Sequence, residues 1–343
     1  MHYTVWKYLP AVATACFLVF ASSLVHASPW TLPQDRLVLT MDYHIQHADY
    51  EFLADGTRQA YPLNGQFRGK AIRLGARYGF TDDFDGAISL DISQINYGAD
   101  PLLLDVDFET AGEATQSILN FNSVQFGAGD LRLRGNYNLL RSSRGFWLVT
   151  SSTRAKLPTG YDAPTGTFFT DADGEERIGG QATRGDGQVD ITQALMFGGF
   201  FAPTGGFGRA EVGLEYRFGD PGHRVVTDVR VGQPVGDRLI AIVGMVAGHN
   251  ITEGEVIGQT MIANNPYLPA SQFTMDNIRA EDLRLDSSNL GFMGGLLFDF
   301  GDIEFTTNYY YTAKGRNVAG THAFTFGTIV SISDVTRSED SDG

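Results

Sequence analysis

Apolar residues recur at every second position along most of this chain, with charged or polar residues between them. In Arg68–Phe80, Ile72, Leu74, Ala76, Tyr78 and Phe80 share one parity, while Arg73 and Arg77 take the other. In Asp130–Leu139, Leu131, Leu133, Gly135, Tyr137 and Leu139 oppose Asp130, Arg132, Arg134, Asn136 and Asn138. In Arg209–Phe218, Ala210, Val212, Leu214, Tyr216 and Phe218 oppose Glu211, Glu215 and Arg217. A β-strand turns successive side chains to opposite faces, so each segment predicts a strand with one oily face and one charged face. A soluble sandwich yields such strands too. What separates the two is the number of strands and the rhythm of their connections.

The pattern predicts strands over 36–46, 66–80, 84–97, 124–140, 146–157, 187–201, 208–218, 223–235, 238–252, 287–300, 303–314 and 320–332. Short connections (81–83, 141–145, 202–207, 236–237 and 301–302) alternate with long ones (47–65, 98–123, 158–186 and 253–286). The short ones are built from Gly, Asp, Pro and Ser, the residues that tight turns require. The connections at 219–222 and 315–319, on the long-loop side, are brief. The predicted fold is all-β: a transmembrane antiparallel up-and-down β-barrel of about twelve strands, its apolar outside meeting lipid, with short periplasmic turns and long extracellular loops. An even strand number leaves both ends in the periplasm. The last strand adds a signal, since Thr325, Gly327, Val330 and Ile332 resemble the pattern on which outer-membrane barrel precursors end, although an acidic tail replaces the usual closing aromatic.

Residues 1–27 read as a cleaved secretory leader, with Lys7, an apolar stretch over Val12–Phe20, and Val25-His26-Ala27 before Ser28. That stretch is too short to span a bilayer as a helix, which takes ~20 residues. The single cysteine, Cys16, lies inside the leader, and Ala13 stands where an acylation site wants an aliphatic residue. The mature chain is thus cysteine-free, which excludes disulfides and thiolate metal sites. The organisation that follows is a leader (1–27), a periplasmic N-terminal segment (28–35), a barrel (36–333) and an acidic tail (334–343). The predicted location is the bacterial outer membrane. The expected partners are its lipid and lipopolysaccharide, the barrel-assembly machinery and a small solute. A net charge of −15 argues against nucleic acid.

Three stretches carry a family resemblance: Gly127-Ala-Gly-Asp130 at a strand start, Lys156-Leu-Pro-Thr-Gly160 at a strand end, and Gly185-Asp-Gly-Gln-Val-Asp190 at the next strand start. Over roughly residues 66–220 their order resembles the outer-membrane proteins associated with the meta-pathway of phenol degradation, and a related group of uncharacterised proteobacterial barrels. The resemblance implies a barrel that passes small apolar or aromatic compounds. The residues also have a mechanical reading. Pro158 cannot donate to a ladder and ends its strand, and Gly185-Asp-Gly187 is a flexible re-entry.

Parity assigns Arg73, Arg77, Arg132, Arg134, Arg154, Lys156, Arg217 and Arg230 to the channel lumen, with Asp91, Asp130, Asp190, Glu211, Glu215, Asp228, Asp299 and Glu304. The basic residues cluster on the second, fourth and fifth strands. The acidic ones lean toward the sixth, seventh, tenth and eleventh. Two outcomes are open: facing walls of opposite charge with water between them, or a lumen closed into ion pairs. A barrel of about twelve strands is intermediate between filled and open ones. The reading adopted is a narrow or partly plugged pore, stopped by Ser28–Asp35 with Trp30 and Leu32, or by the inward folding of 158–186. Tyr309-Tyr-Tyr311, Phe146-Trp147, Phe200-Phe201, Phe218, Phe298 and Phe300 sit near strand ends, where interfacial aromatic girdles belong.

No catalytic, cofactor or metal site emerges. The best candidate base of a lipid-cutting barrel is His249, but no serine has a nucleophile's context and no G-x-S-x-G elbow exists. Asp171-Ala-Asp-Gly-Glu-Glu176 clusters oxygen ligands in a loop but lacks the spacing of a helical calcium loop. The leading expectation is a passive channel without energy coupling. A non-conducting structural, adhesive or receptor barrel is the alternative, and an interfacial enzyme ranks third.

Overall fold

The computed structural model describes residues 29–333 except 107–114, 120–121, 144, 162–167, 171–175, 179–183, 220 and 273. The leader, the acidic tail and most of the Asp171–Glu176 cluster lie outside the described residues. Twelve strands form a closed barrel. They are β1 (Leu37–Ala48), β2 (Gln66–Thr81), β3 (Phe84–Gly98), β4 (Ser123–Arg141), β5 (Trp147–Pro158), β6 (Asp190–Phe201), β7 (Gly206–Arg217), β8 (Arg224–Val235), β9 (Leu239–Asn250), β10 (Ser288–Asp299), β11 (Ile303–Arg316) and β12 (His322–Ile332). Every strand pairs antiparallel with its sequence neighbours. β12 closes on β1 from Leu37↔Ile332 to His47↔His322. Closure leaves no sheet edge to satisfy. The shortest barrel strand has 11 residues, enough for the ~9–11 that a tilted strand needs to cross hydrocarbon.

The outer surface carries the apolar parity. Leu39, Met41, Tyr43, Ile72, Leu74, Ile88, Val212, Leu214, Val243, Phe292, Phe324 and Phe326 are all exposed there. A one-residue slip would turn this whole row inward, so the pattern itself pins the register. One local exception has a plain cause. A register shift between Asn138 and Leu140 lets β4 turn both Leu139 and Leu140 outward.

The two ends differ. One bears the five short turns and the other the long connections. Those connections are not bare loops, as the pattern suggested, but carry small sheets of their own. One is four-stranded, from Glu176–Ile178, Phe168–Thr170, Val256–Ala263 and Ile278–Arg284. Another joins Val318–Ala319, Tyr50–Phe52 and Arg58–Ala60, and a two-stranded one pairs Leu102–Val106 with Leu119–Thr115. Most of these strands are too short to show a periodicity, and the two longer ones, Val256–Ala263 and Ile278–Arg284, do not alternate strictly.

Candidate functional site

A cavity of about 660 Å³ lies inside the barrel, and its lining is charged. Arg73, Arg77, Asp130, Arg132, Arg134, Arg154, Lys156, Asp190, Glu211, Glu215 and Asp228 line it. Asp91, Arg217 and Arg230 stand behind, each bonded to a charged neighbour. Arg73 grips Asp91 through Nε and Nη2 at 2.6 and 3.0 Å, and Asp91 also accepts from Arg132 Nη1 at 2.7 Å. Arg154 pairs with Glu211, and Lys156 Nζ lies 2.5 Å from Asp190. Arg224 Nε lies 2.5 Å from Glu215, and Asp228 binds both Arg209 at 2.6 Å and Arg230 at 2.7 Å. Asp299 and Glu304 are placed differently. Asp299 accepts from the Gly301 amide at 2.7 Å and caps a short turn, while Glu304 is buried near that same end.

These bonds correct the picture of facing walls of opposite charge. The pairs run between strands that are adjacent or one apart (β2–β3–β4, β5–β6, β5–β7 and β7–β8). Strand separation makes this inevitable: neighbours sit about 4.8 Å apart, well within reach of an Arg or Glu side chain. The opposite arc carries mostly small or neutral groups such as Thr40, Val246, Gly295, Asn308 and Tyr310, with the buried carboxylate of Asp42 on β1 in register with Arg73. Each such ion pair is costly to desolvate but worse to break, since removing one partner leaves a buried charge alone.

The three motifs meet at one place, on the long-loop side of the cavity. Lys156 Nζ reaches Asp186 at 2.6 Å, and Arg217 closes on the same carboxylate. Thr159 Oγ1 donates to the Gly129 carbonyl at 2.7 Å, and Tyr161 Oη donates to Asp130. Gly127 has a φ of +151° because the chain opens there for Arg184, whose Nη1 donates to the Ala128 carbonyl at 2.9 Å; a Cβ on Gly127 would overlap that guanidinium. At Gly185 a Cβ would strike the Tyr161 hydroxyl. The glycines and Pro158 are thus the mechanical parts of an inward fold that delivers Asp186 between Lys156 and Arg217. Burial pushes the Asp186 carboxyl up, but those two cations outweigh it and hold it below the usual range.

The short-turn end is stopped by residues 29–35, which enter the lumen rather than lying outside it. Trp30 is 3% exposed and sits in a socket of Leu148, Phe207, Ile240 and Leu297. Leu32 packs on Val38 and Ile329. The segment's backbone is satisfied by the wall: Arg77 Nη2 donates to the Trp30 carbonyl at 2.7 Å, and the Leu32 amide donates to Asp85 Oδ2 at 3.0 Å. Asp85 is itself gripped by Arg77 at 2.9 and 2.6 Å and by Asn136 at 2.9 Å. Thr150 donates to the Pro29 carbonyl.

Two predicted girdle residues turn the other way. Phe200 faces inward and its ring lies 4.7 Å from that of Trp30, while Tyr310 faces inward and accepts from Asn289 at 3.2 Å. Their neighbours Phe201 and Tyr309 are exposed on the outside, with Phe146, Trp147, Phe218, Phe298 and Phe300. His249 is exposed on the outer face of β9, and none of the described residues hydrogen-bonds its ring. Among the described residues no group of three or more potential metal-binding side chains comes together. Asp85, Arg209 and Arg224 were not singled out from sequence although they share parity with Asp91, Glu211 and Asp228; each lies near a strand end. Arg184 and Asp186 lie in no strand and carry no such signal.

The chain therefore belongs by architecture among twelve-stranded closed antiparallel barrels. No family model and no curated protein matches its sequence, so the family resemblance rests on the three motifs. Solved structures do match. The COG4313 outer membrane channel from Pseudomonas putida F1 aligns at a TM-score of 0.59 and 9% identity, over 90% of this chain and 100% of that one. The KdgM porin aligns at 0.45 and 5%, over 85% and 99%. The CymD monoaromatic hydrocarbon channel aligns at 0.43 and 11%, over 88% and 90%. At these identities the likeness is one of fold.

Proposed function

We propose that this chain is a bacterial outer-membrane barrel, exported by its leader, that acts as a narrow passive channel for small molecules. Its short turns lie in the periplasm and its long loops outside. The observation that carries this reading is a cavity of about 660 Å³ in a closed barrel, stopped at the short-turn end by one short chain segment seated in a socket of wall side chains. A stopper held by a single aromatic anchor and a few hydrogen bonds is removable, whereas a filled core is not. The motif resemblance points to aromatic compounds as solutes. The charged lining adds that they cross as polar or ionised species, because a hydrocarbon offers nothing to desolvated guanidinium and carboxylate groups.

The test is purified protein in planar bilayers. Discrete conductance steps that become more frequent when the stopper is weakened support the channel. A barrel that inserts yet stays silent with both ends loosened, by Trp30→Ala and Asp186→Asn together, sinks it. Silence would favour the second reading, a non-conducting barrel that works through its loops, for which the ordered sheets on the long connections speak.

A further inference from the structure

Among the described residues the ion pairs around the cavity leave two arginines over, Arg134 and Arg184, and Arg184 is bonded to the Ala128 carbonyl. Arg77 is bonded to Asp85, Arg154 to Glu211, and Arg209 shares Asp228 with Arg230. Arg134 lies among these groups, and the charges acting on it are those of Arg154, Glu211, Arg77 and Arg209. Among the described residues it makes no hydrogen bond and no ion pair of its own. Two of its neighbours also have N–H groups to spare. Arg77 Nη1 and Arg154 Nε are shut off from solvent and meet no acceptor. All three side chains line the same cavity.

Cations withdrawn from bulk water without matching counter-charge are costly, and buried N–H groups without acceptors add to that cost. A free guanidinium fork lining such a space suits planar or tetrahedral oxyanions, which it holds through paired hydrogen bonds. We propose that the Arg134 guanidinium, with the neighbouring cations of Arg77 and Arg154 adding to its field, forms a binding site for a small oxyanion, a carboxylate or a phosphate. The site rests on the channel reading in one respect only: its occupant is taken to be the ionised group of the solute in transit. It also lies near the stopper, because Arg77, one strand over from Arg134 across Ala87, holds the Trp30 carbonyl through Nη2.

Calorimetry on the folded, detergent-solubilised protein tests the site without any conduction. Sodium phosphate and sodium acetate are titrated in parallel, which tells a phosphate preference from a carboxylate one. Saturable binding of one anion per chain is expected, weakened at least about tenfold by Arg134→Gln. Arg134→Lys keeps the charge but loses the fork, so it falls between the two. Arg279→Gln, on an outer sheet, leaves binding unchanged. Folding of each variant is checked by the slower gel mobility of the boiled sample. Wild-type affinity in folded Arg134→Gln, or no binding in the parent protein, overturns the site. Arg134-dependent binding in a barrel that never conducts keeps the site and sinks the channel.

Discussion

Replacing Trp30 with Ala tests how the lumen is closed. The indole is almost fully buried in a socket of four inward apolar residues, with the Phe200 ring tilted beside it. Truncating a buried Trp costs about 3–5 kcal/mol. The cost here falls on the docked stopper rather than on the barrel, whose ladders do not include Trp30. Since 1.4 kcal/mol is a factor of ten, the docked state should lose roughly two to four orders of magnitude against the undocked one. The bonds from Arg77 to the Trp30 carbonyl and from the Leu32 amide to Asp85 survive the change, so docking is weakened, not abolished. In single-channel recordings the variant should therefore flicker, with an open fraction far above that of the parent and no change in the size of the step. An open fraction equal to the parent's, in a protein whose gel mobility shows a folded barrel, would refute this account of closure. It would move attention to the other end of the cavity.

Two further predictions concern that other end. Asp186→Asn leaves Lys156 and Arg217 with Asp190 as their shared carboxylate, so the inward fold at 184–186 should loosen; acid should do the same. Because the folded protein holds the Asp186 carboxyl below its usual range, its contribution is present at neutral pH and is lost as pH falls below about 4. Conductance recorded against pH should rise in acid in the parent and be flat in that range in the variant; matching curves would remove Asp186 from the gate. Glu51, on an outer sheet, behaves in the opposite sense: burial, then repulsion from Glu281, push its carboxyl from 4.5 to about 7. The folded outer sheets thus bind a proton that the opened loops release, and their packing should weaken as pH rises from about 4.5 to 7. Limited proteolysis of the long loops should accelerate over that window in the parent and lose its pH dependence in Glu51→Gln.

The barrel was legible because hydrocarbon imposes one rule on every strand. A run such as Ile72–Phe80 has to keep its apolar parity outward along its whole length, and that repetition is what a sequence displays. The lumen obeys no comparable rule. Parity shows that Arg73 and Glu211 point inward but not which partners they choose. Partner choice followed strand adjacency, which turned the imagined facing walls into a lattice of neighbours. Asp186 was out of reach for another reason: it acts from a segment that folds back into the barrel, and no period marks a side chain that arrives from a loop. Arg184 escaped in the same way, although the glycine at position 127 that makes room for it stood in plain view.

The socket of Trp30 was written in the chain as a fault in the pattern. Leu148, Phe207, Ile240 and Leu297 are apolar at inward positions, where the alternation asks for polar residues. Three of them sit beside outward apolar residues, in Trp147-Leu148-Val149, Leu239-Ile240-Ala241 and Leu296-Leu297-Phe298, so the run reads as continuous, while Phe207 stands between Gly206 and Gly208. All four lie within about three residues of a short turn, on β5, β7, β9 and β10. A water-filled mouth has no use for four apolar side chains at one level. They make sense only if something apolar enters there, and Trp30, between two prolines that bar it from a ladder, is the residue at hand. In a barrel of this kind, broken alternation confined to one end of several strands marks the seat of a stopper, and the aromatic in the adjoining terminal segment is what fills it.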